Sequence, residues 1–352
     1  MKILIGMMHP KHVYMFKNFI REMDERGHQI KLLSIEKDVT EYLLKQFGLP
    51  YTSIGYNFPN IYNKVLSIPK WEYLTLKIAN KFKPDVYIGQ ALPHFAHVSA
   101  IFGKPYILLE DSEPAHVVQS ISFPFADVII TPNCYKDDLG EKQVRFDGYF
   151  ELAYLHPNYF RPDPSVLDDL GLNKKDKIII MRFVSWTAVH DIGERGGFDL
   201  DMKKNLINEL ENYGHVFVTS EGHLANDFRS HQITISPEKI HDMLYYAHML
   251  IGDSQTMTTE AAVLGTPAIR CNSFVGENDM GNFIELERKY NLIYNYNDPN
   301  MVINKAIELI QKPDLKGEWR MKRDKLLKDK IDFTKFLVDI VENHSDGNFE
   351  RK

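Results

Sequence analysis

Hydroxyl and amide side chains gather at the start of a helix that the sequence predicts from residue 256 onward. The group consists of Ser254, Gln255, Thr256, Thr258 and Thr259, directly after the predicted strand 249–252. The first N–H groups of a helix have no partner within it and carry about half a positive charge, which suits a phosphate. Glu260 follows one turn later, where it could accept hydrogen bonds from a ribose diol. The pattern indicates a nucleotide site, although capping of the helix by Ser254 or Thr256 would explain the same hydroxyls.

Three further polar side chains follow predicted strands in the second half of the chain. Arg182 comes directly after the predicted strand 177–181, and we expect it to bind the phosphates of a nucleotide. A surface ion pair is the alternative role for this arginine. Ser185 in the same loop and His223, after a later strand, are the other candidates for binding a nucleotide sugar.

Candidate bases lie after strands of the first half of the chain. His9 and His12 follow the predicted strand 2–7, and a histidine with a pKa near 6.5 can take a proton at neutral pH. Glu110 and Asp111 end another predicted strand and could orient such a histidine or act as bases themselves. For either histidine, a structural role is the alternative.

Short β-rich runs alternate with helical patterns along nearly the whole sequence. Several of the predicted strands are continuously apolar, and the predictions include helices at 70–82 and 256–264 and a short strand at 233–235. Such alternation is typical of an α/β fold in which a parallel sheet is covered by helices on both faces. Ligands of such sheets bind outside the carboxyl ends of the strands, and all the candidate residues follow strands.

A cluster of prolines interrupts the alternation in the middle of the chain. Pro157, Pro162 and Pro164 crowd a few residues, after which the pattern restarts. The sequence therefore predicts two doubly wound, Rossmann-like domains of similar size that face an interdomain cleft. We expect an acceptor-side domain at 1–160, a nucleotide-sugar-binding domain at 161–312, and helices at 313–352 that pack back toward the first domain.

Length and charge limit the functional class. A chain of 352 residues exceeds what one hydrophobic core usually organises, which supports two domains. The 42 Lys and Arg residues against 48 Asp and Glu give a net charge of −6. A nucleic-acid-binding protein usually has a basic surplus, so we expect no nucleic-acid partner.

The sequence shows no pattern of metal ligands or of a membrane span. Cys134 and Cys271 have no His or Cys nearby at metal spacing and are too few for a disulfide framework, which fits a reducing cytoplasm. No apolar run approaches the roughly 20 residues of a spanning helix. The basic stretch 312–330 could touch the inner face of a membrane, although a solvated helix face is the simpler interpretation.

The segment 251–269 resembles the nucleotide-binding segment of GT-B glycosyltransferases, including MurG, and of the UDP-N-acetylglucosamine 2-epimerases. Glu260, ahead of two alanines and a later Gly-x-Pro, matches the Glu that binds the ribose in those families. Asp253 and Ser254 match an Asp-Ser of the epimerases, which continue with Gly-Gly where this chain has Gln255 and Thr256. The epimerases' His-Val-Glu-Ala-Gly is replaced by residues 110–114, Glu-Asp-Ser-Glu-Pro, which disfavours an epimerase.

The similarity extends to an uncharacterised prokaryotic family of predicted GT-B glycosyltransferases. It rests on a Pro-x-His-x-x-x-Phe pattern at Pro10, His12 and Phe16, and on the stretches 123–130, 161–167 and 256–269. The resemblance implies the GT-B fold and stabilisation of the leaving diphosphate by a helix N-terminus and basic side chains, without a metal ion.

Together these features predict an enzyme that transfers a sugar from a UDP-type donor to a cell-envelope or polysaccharide acceptor, either a glycan or a lipid-linked molecule. We expect no cofactor other than the nucleotide sugar itself. Two alternatives stay open at this point. One is an isomerase related to the nucleotide-sugar 2-epimerases, and the other is a non-catalytic protein that binds a nucleotide sugar.

Overall fold

The computed structural model describes residues 1–58, 61–183, 198–220, 224, 226–272, 275–276 and 279–344 of the chain. These residues form two compact units. The first unit contains Met1–Tyr159 together with the chain from Lys330 onward, and the second contains Phe160–Asp329. Both units are α/β, and each has a parallel sheet with helices between the strands.

The first unit is built on a seven-stranded parallel sheet. Its strands are β1 (Lys2–Met7), β2 (Gln29–Glu36), β3 (Tyr51–Tyr56), β4 (Val86–Gly89), β5 (Tyr106–Leu109), β6 (Val128–Pro132) and β7 (Gln143–Phe146). Their order in the sheet is β3-β2-β1-β4-β5-β6-β7. The strand order reverses between β1 and β4, and such a switch point is where open parallel sheets bind ligands.

Six helices of the first unit follow its strands, and a further one comes from the end of the chain. They are α1 (Pro10–Glu25), α2 (Thr40–Gln46), α3 (Ile61–Phe82), α4 (Pro93–Phe102), α5 (His116–Ser122), α6 (Leu152–Leu155) and, last in sequence, α14 (Phe333–His344). The central strands β4 and β5 are buried along their whole length, which explains their uninterrupted apolar sequences.

The second unit has a five-stranded parallel sheet in the order β12-β11-β10-β8-β9. The strands are β8 (Ile178–Phe183), β9 (His215–Ser220), β10 (Met249–Gly252), β11 (Ala268–Cys271) and β12 (Ile293–Tyr296). The described helices are α7 (Ser165–Asp168), α8 (Leu200–Glu211), α9 (Ile240–Tyr246), α10 (Gln255–Leu264), α11 (Gly281–Arg288), α12 (Pro299–Ile310) and α13 (Leu315–Asp329). Here the strand order reverses between β8 and β10. Residues 233–235, predicted as a strand, form none.

The expected C-terminal segment 313–352 is divided between the two units. Helix α13 belongs to the second unit, where the buried Trp319 donates its indole N–H to the carbonyl of Leu292 (2.7 Å). The chain from Lys330 belongs to the first unit, where Phe333 is buried against Phe146 and Phe150. The segment is divided in this way because Trp319 is buried in the second unit and Phe333 in the first.

Candidate functional site

The switch point of the second unit places Arg182 beside the turn that leads into α10. Gly252, at the end of β10, pairs in register with Arg182 on β8. A Cβ atom on Gly252 would overlap the carbonyl oxygen of Arg182, so only glycine allows the two strands to approach this closely. The N–H of Asp253 then donates to the same carbonyl oxygen (3.2 Å). The sequence predicted the turn but not this role of the glycine.

The N-terminus of α10 starts directly after that turn. Ser254 is the N-cap residue, and its side chain makes no capping hydrogen bond in the described part of the chain. The hydroxyls of Thr258 and Thr259 donate to the carbonyl oxygens of Ser254 (2.7 Å) and Gln255 (3.4 Å). Capping by the Ser254 side chain therefore does not account for this turn, because the first N–H groups of α10 do not donate to that hydroxyl.

Glu260 lies on the buried side of α10 and has a partner that the sequence did not suggest. Its Oε1 lies 3.0 Å from Nε2 of His241 on α9, and both side chains are buried. Gln255 and Thr256, in contrast, are partly exposed. Within the predicted group, Gln255 and Thr256 are thus partly exposed, whereas Ser254 at the N-cap and Thr258, Thr259 and Glu260 further along the helix are buried.

Arg182 reaches across the sheet to the neighbouring strand. Its Nη1 donates to Oγ1 of Thr219 on β9 (3.0 Å). The guanidinium is therefore held toward β9 at the carboxyl end of the strands, while the backbone of Arg182 lies beside the turn that leads into α10. Ser185 and His223, the other two predicted binding residues of this region, lie outside the described residues.

A second arginine of the same unit was missed by sequence reasoning. Arg270, in the otherwise apolar β11, is fully buried, pairs with Asp279 and donates its Nε–H to Oδ1 of Asn295 (2.8 Å). Its guanidinium carbon lies 3.6 Å from the ring centroid of Phe283. An arginine within an apolar strand was the available signal, because a buried charge needs partners.

At the switch point of the first unit, His12 is buried with both ring nitrogens engaged. The backbone N–H of Met8 donates to Nδ1 (3.2 Å), so in the neutral ring Nε2 carries the hydrogen and donates to Oε1 of Gln90 (2.8 Å). Burial lowers the pKa of His12 to about 4. His12 is therefore neutral at physiological pH and uses its only basic nitrogen to hold the loop after β1.

A buried ion cluster that the sequence did not reveal begins at Lys11, the residue before this histidine. Nζ of Lys11 lies 2.5 Å from Oδ2 of Asp111 and 2.9 Å from Oε1 of Glu151. Burial alone would lower the pKa of Lys11, but the charges of Asp111 and Glu151 outweigh it and raise the pKa. The lysine thus stays protonated. It ties the start of α1 to the segments that follow β5 and β7.

Glu110 is a buried carboxyl at the end of β5. Its Oε1 accepts hydrogen bonds from the backbone N–H groups of Asp111 (3.1 Å) and Ser112 (2.8 Å). Burial, together with the nearby charge of Asp111, raises the pKa of Glu110 to about 8. A carboxyl with such a pKa can release and take up a proton close to neutral pH.

His9 is the more exposed of the two predicted catalytic histidines. It is the N-cap residue of α1, and its Nδ1 accepts the N–H of Lys11 (3.1 Å). The ring centroids of His9 and His12 are 6.0 Å apart. The structure therefore brings together all four predicted catalytic residues of the first unit, His9, His12, Glu110 and Asp111, along with Lys11 and Gln90.

The described residues hold no group of three or more His, Cys, Asp or Glu side chains arranged to bind a metal ion. Cys134 is partly buried and Cys271 buried, and both are free thiols. As far as the described helices extend, none combines the length and the apolar character needed to cross a membrane.

The family of the chain follows from its sequence. A family described as "Protein of unknown function (DUF354)" matches residues 1–346. The chain belongs to this family. An uncharacterized protein of Methanocaldococcus jannaschii is 22% identical over 282 residues, which are 76% of this chain and 81% of the relative.

Solved structures show which fold this DUF354 member has. The UDP-GlcNAc 2-epimerase from Neisseria meningitidis, bound to UDP-GlcNAc, matches with a TM-score of 0.68 at 12% identity, covering 97% of this chain and 100% of its own. MurG of Acinetobacter baumannii matches with a TM-score of 0.59 at 13% identity and the same coverages. The neighbours are thus GT-B glycosyltransferases and UDP-GlcNAc 2-epimerases, as the motifs predicted, and the fold is that of the GT-B proteins.

Proposed function

We propose that this protein is a metal-independent glycosyltransferase that takes a sugar from a UDP-type donor. The observation that carries the proposal is the start of α10, which lies at the switch point of the second unit, beside the backbone of Arg182, and is not capped by the Ser254 side chain. A helix N-terminus next to an arginine binds and neutralises a diphosphate, which is the leaving group of the reaction. The GT-B fold is consistent with this use.

In the proposed reaction, the diphosphate lies against the first N–H groups of α10, with Gln255, Thr256 and Arg182 as further donors. Glu260 binds the ribose, and the contact from His241 orients its carboxylate. As the bond from the sugar to the diphosphate breaks, charge develops on the phosphate oxygens, and the helix N-terminus and the guanidinium stabilise it. Ser185 and His223 stay candidate contacts to the donor.

The acceptor hydroxyl needs a base, and the first unit offers several. Glu110 fits better than His12 because its pKa is near 8, whereas the basic nitrogen of His12 already accepts the N–H of Met8. His12 then positions Gln90 and the loop after β1. His9 and Asp111 are the other groups able to take the proton, and Lys11 fixes the orientation of Asp111. A glycan or a lipid-linked envelope molecule is the acceptor class that we propose.

Calorimetric titration with UDP, GDP, CMP and dTDP tests the donor site. We expect UDP to bind, and Glu260→Ala to weaken its affinity by about 1–3 kcal/mol through loss of charge-assisted hydrogen bonds. Glu308→Ala, an exposed glutamate on α12 of the same unit, is the matched control and should bind UDP like the wild type. Equal UDP affinity in Glu260→Ala and the control would remove Glu260 from the site.

A second candidate is epimerisation of the donor sugar without an acceptor. One observation favours it: a carboxyl with a pKa near 8, such as Glu110, can remove a proton from carbon and return it on the other face. Incubation with UDP-sugars alone distinguishes the possibilities. A new epimer favours the isomerase, turnover only with an acceptor favours the transferase, and binding without any turnover favours a non-catalytic protein.

A further inference from the structure

Large apolar side chains are concentrated on the surface around the start of α3. Of the 15 exposed large apolar residues in the described part of the chain, six lie between Tyr56 and Tyr73. Tyr62 is 76% exposed, Leu66 77% and Tyr73 65%. Isolated exposed apolar residues are common on soluble proteins, but a group of this density marks a surface that is covered in use.

These side chains form one stripe along the helix. Residues 62, 66 and 73 are spaced by four and seven positions, which places them on the same side of an α-helix. The opposite side is buried in the first unit through Trp71, Thr75 and Ala79. The helix is thus anchored by one face and presents an apolar face outward.

Positive charge runs beside the apolar stripe. Lys70, Lys77 and Lys81 are all exposed and follow the stripe along one side of α3. Glu72 is the sole acidic residue in the sequence of 61–82, and its Oε1 contacts Nδ1 of His97 on α4 (2.5 Å). Although the whole chain has a net charge of −6, this surface is locally basic. We define the α3 face as Tyr62, Leu66, Lys70, Tyr73, Lys77 and Lys81.

We propose that the α3 face docks on an anionic membrane surface. A helix that lies in the interface inserts aromatic and aliphatic side chains between the lipid headgroups, while lysines at its side contact anionic phosphates. Tyrosine suits this position because its ring is apolar and its hydroxyl stays hydrated. The inference goes beyond the proposed function and does not rest on it.

The charge of the face argues against a second copy of the chain as its occupant. In a two-fold symmetric dimer, the same surface of each copy faces its equivalent. The lysines of the α3 face would then meet the same lysines of the other copy, because the face contains no acidic side chain, and Glu72, the only acidic residue in the sequence of 61–82, contacts His97. A negatively charged lipid surface provides the missing counter-charges.

The alternative basic stretch, 312–330, lacks these properties in the structure. Lys312 and Lys322 both contact Glu318, at 2.8 Å and 2.7 Å. Of the large apolar side chains of α13, Leu315, Trp319 and Leu326 are buried, Leu327 is partly buried and Met321 is exposed. This stretch therefore presents no exposed apolar stripe, and two of its lysines are ion-paired, which favours the simpler of its two interpretations, a solvated helix face.

Co-sedimentation of the full-length protein with vesicles tests the proposal. We expect the protein to bind vesicles that contain phosphatidylglycerol, to bind phosphatidylcholine vesicles much less, and to be released by high salt. The double variant Leu66→Ser/Tyr73→Ser should lower binding to the anionic vesicles by about tenfold or more. Lys70→Glu/Lys77→Glu should also lower binding to the anionic vesicles, by about fivefold for each lysine removed, because the attraction between lysine and anionic lipid is lost.

Two matched controls lie on α13 of the second unit. Met321→Ser removes an equally exposed apolar side chain, and Lys325→Glu/Lys328→Glu reverses two exposed lysines. Both should bind like the wild type, and melting curves of all variants should coincide because the changed residues are exposed. If one of the two α3 double variants has a lower melting temperature, vesicle binding by the other double variant tests the proposal, because it changes different residues.

Three results would overturn the proposal. One is absence of vesicle binding, or equal binding to anionic and neutral vesicles. Another is wild-type binding by both α3 variants. The third is a concentration-dependent dimer in sedimentation velocity that Leu66→Ser/Tyr73→Ser dissociates, because it would assign the α3 face to a second copy of the chain.

Discussion

The pKa values of two buried side chains of the first unit are shifted in opposite directions. Burial lowers the pKa of His12 to about 4 and raises that of Glu110 to about 8. In both cases burial disfavours the charged form. Groups with separated pKa values in one site often divide acid and base roles between them. Here the histidine is the fixed hydrogen-bonding partner, and the carboxyl is the group whose proton can move.

The pH dependence of turnover tests Glu110 as the base. The base must be ionised, so kcat with a UDP-sugar and acceptor should rise with pH through about 8 and then level off. Glu110→Gln should lose this rise and lower kcat by about 10²–10⁴-fold while UDP affinity is retained. Glu141→Gln, at an exposed position of the same unit, should keep the wild-type profile. An unchanged profile in Glu110→Gln would assign the base to another residue.

His12 should also control stability in acid. Its folded pKa of about 4 lies below the ordinary value near 6.5, so the unfolded chain binds the proton more readily. The stabilisation is therefore complete above pH 6.5 and is lost as the pH falls toward 4, by up to about 3 kcal/mol. Urea unfolding of the wild type and His12→Gln between pH 7 and 4 measures it. The variant should lose less stability on acidification, and equal losses in both proteins would contradict the shift.

At the scale of elements, the sequence predicted the buried strands better than the exposed ones. Strands β4 and β5 are buried throughout, and continuous apolar sequence marks them. Strands β3 and β7 at the edges of the sheet carry polar and partly exposed residues, and apolar continuity did not mark them. An edge strand that lacks an apolar run, as these two do, is fixed by pairing with its neighbour, which the local sequence does not record.

The sequence did not predict the first turns of α3, again because tertiary packing stabilises them. The helix begins at Ile61, whereas the sequence predicted it from residue 70, directly after Pro69. A proline inside a helix removes one backbone donor and normally marks a boundary. Here the face that carries Trp71, Thr75 and Ala79 is buried, and this packing holds the helix. The unpredicted first turns carry Tyr62 and Leu66, so the α3 face could not be recognised from the sequence.

The close approach of β8 and β10 leads to a prediction at the same scale. Gly252→Ala places a methyl group on the carbonyl of Arg182, so the strands must separate, at a cost of about 3 kcal/mol or more. Gly140→Ala is the control, because that glycine has a φ of 73° but open space around its Cβ position. It should cost about 1 kcal/mol. Thermal unfolding and UDP titration measure the effect, and equal costs at the two glycines would contradict the packing argument.

At the scale of the whole molecule, residues distant in sequence combine into the candidate sites. Lys11 and Asp111 are 100 positions apart, and Glu151 follows a different strand. Sequence reasoning located the loops in which such residues lie, because the carboxyl ends of parallel strands share one edge. It could not pair Lys11 with its carboxylates, or His241 with Glu260, because those contacts depend on strand order and helix packing.

The return of the chain end to the first unit yields the last prediction. Phe333 is fully buried, with its ring centroid 4.6 Å from that of Phe146 and 4.9 Å from that of Phe150. Lys330 contacts Asp147 (2.7 Å) at the same place. Phe333→Ala should therefore leave a cavity in the first unit and lower the free energy of unfolding by about 3–5 kcal/mol. Met321→Ala, at an exposed position of the second unit, should have almost no effect.

Hydrogen exchange followed by mass spectrometry locates the loss. In Phe333→Ala, peptides of α1, β7 and α6 should exchange faster, because α14 packs against α1 and α6. Peptides of β8, β10 and α10 should keep their wild-type exchange, and added UDP should still protect the start of α10. Faster exchange confined to the second unit would contradict this prediction, because it would show that the end of the chain stabilises the second unit instead of the first.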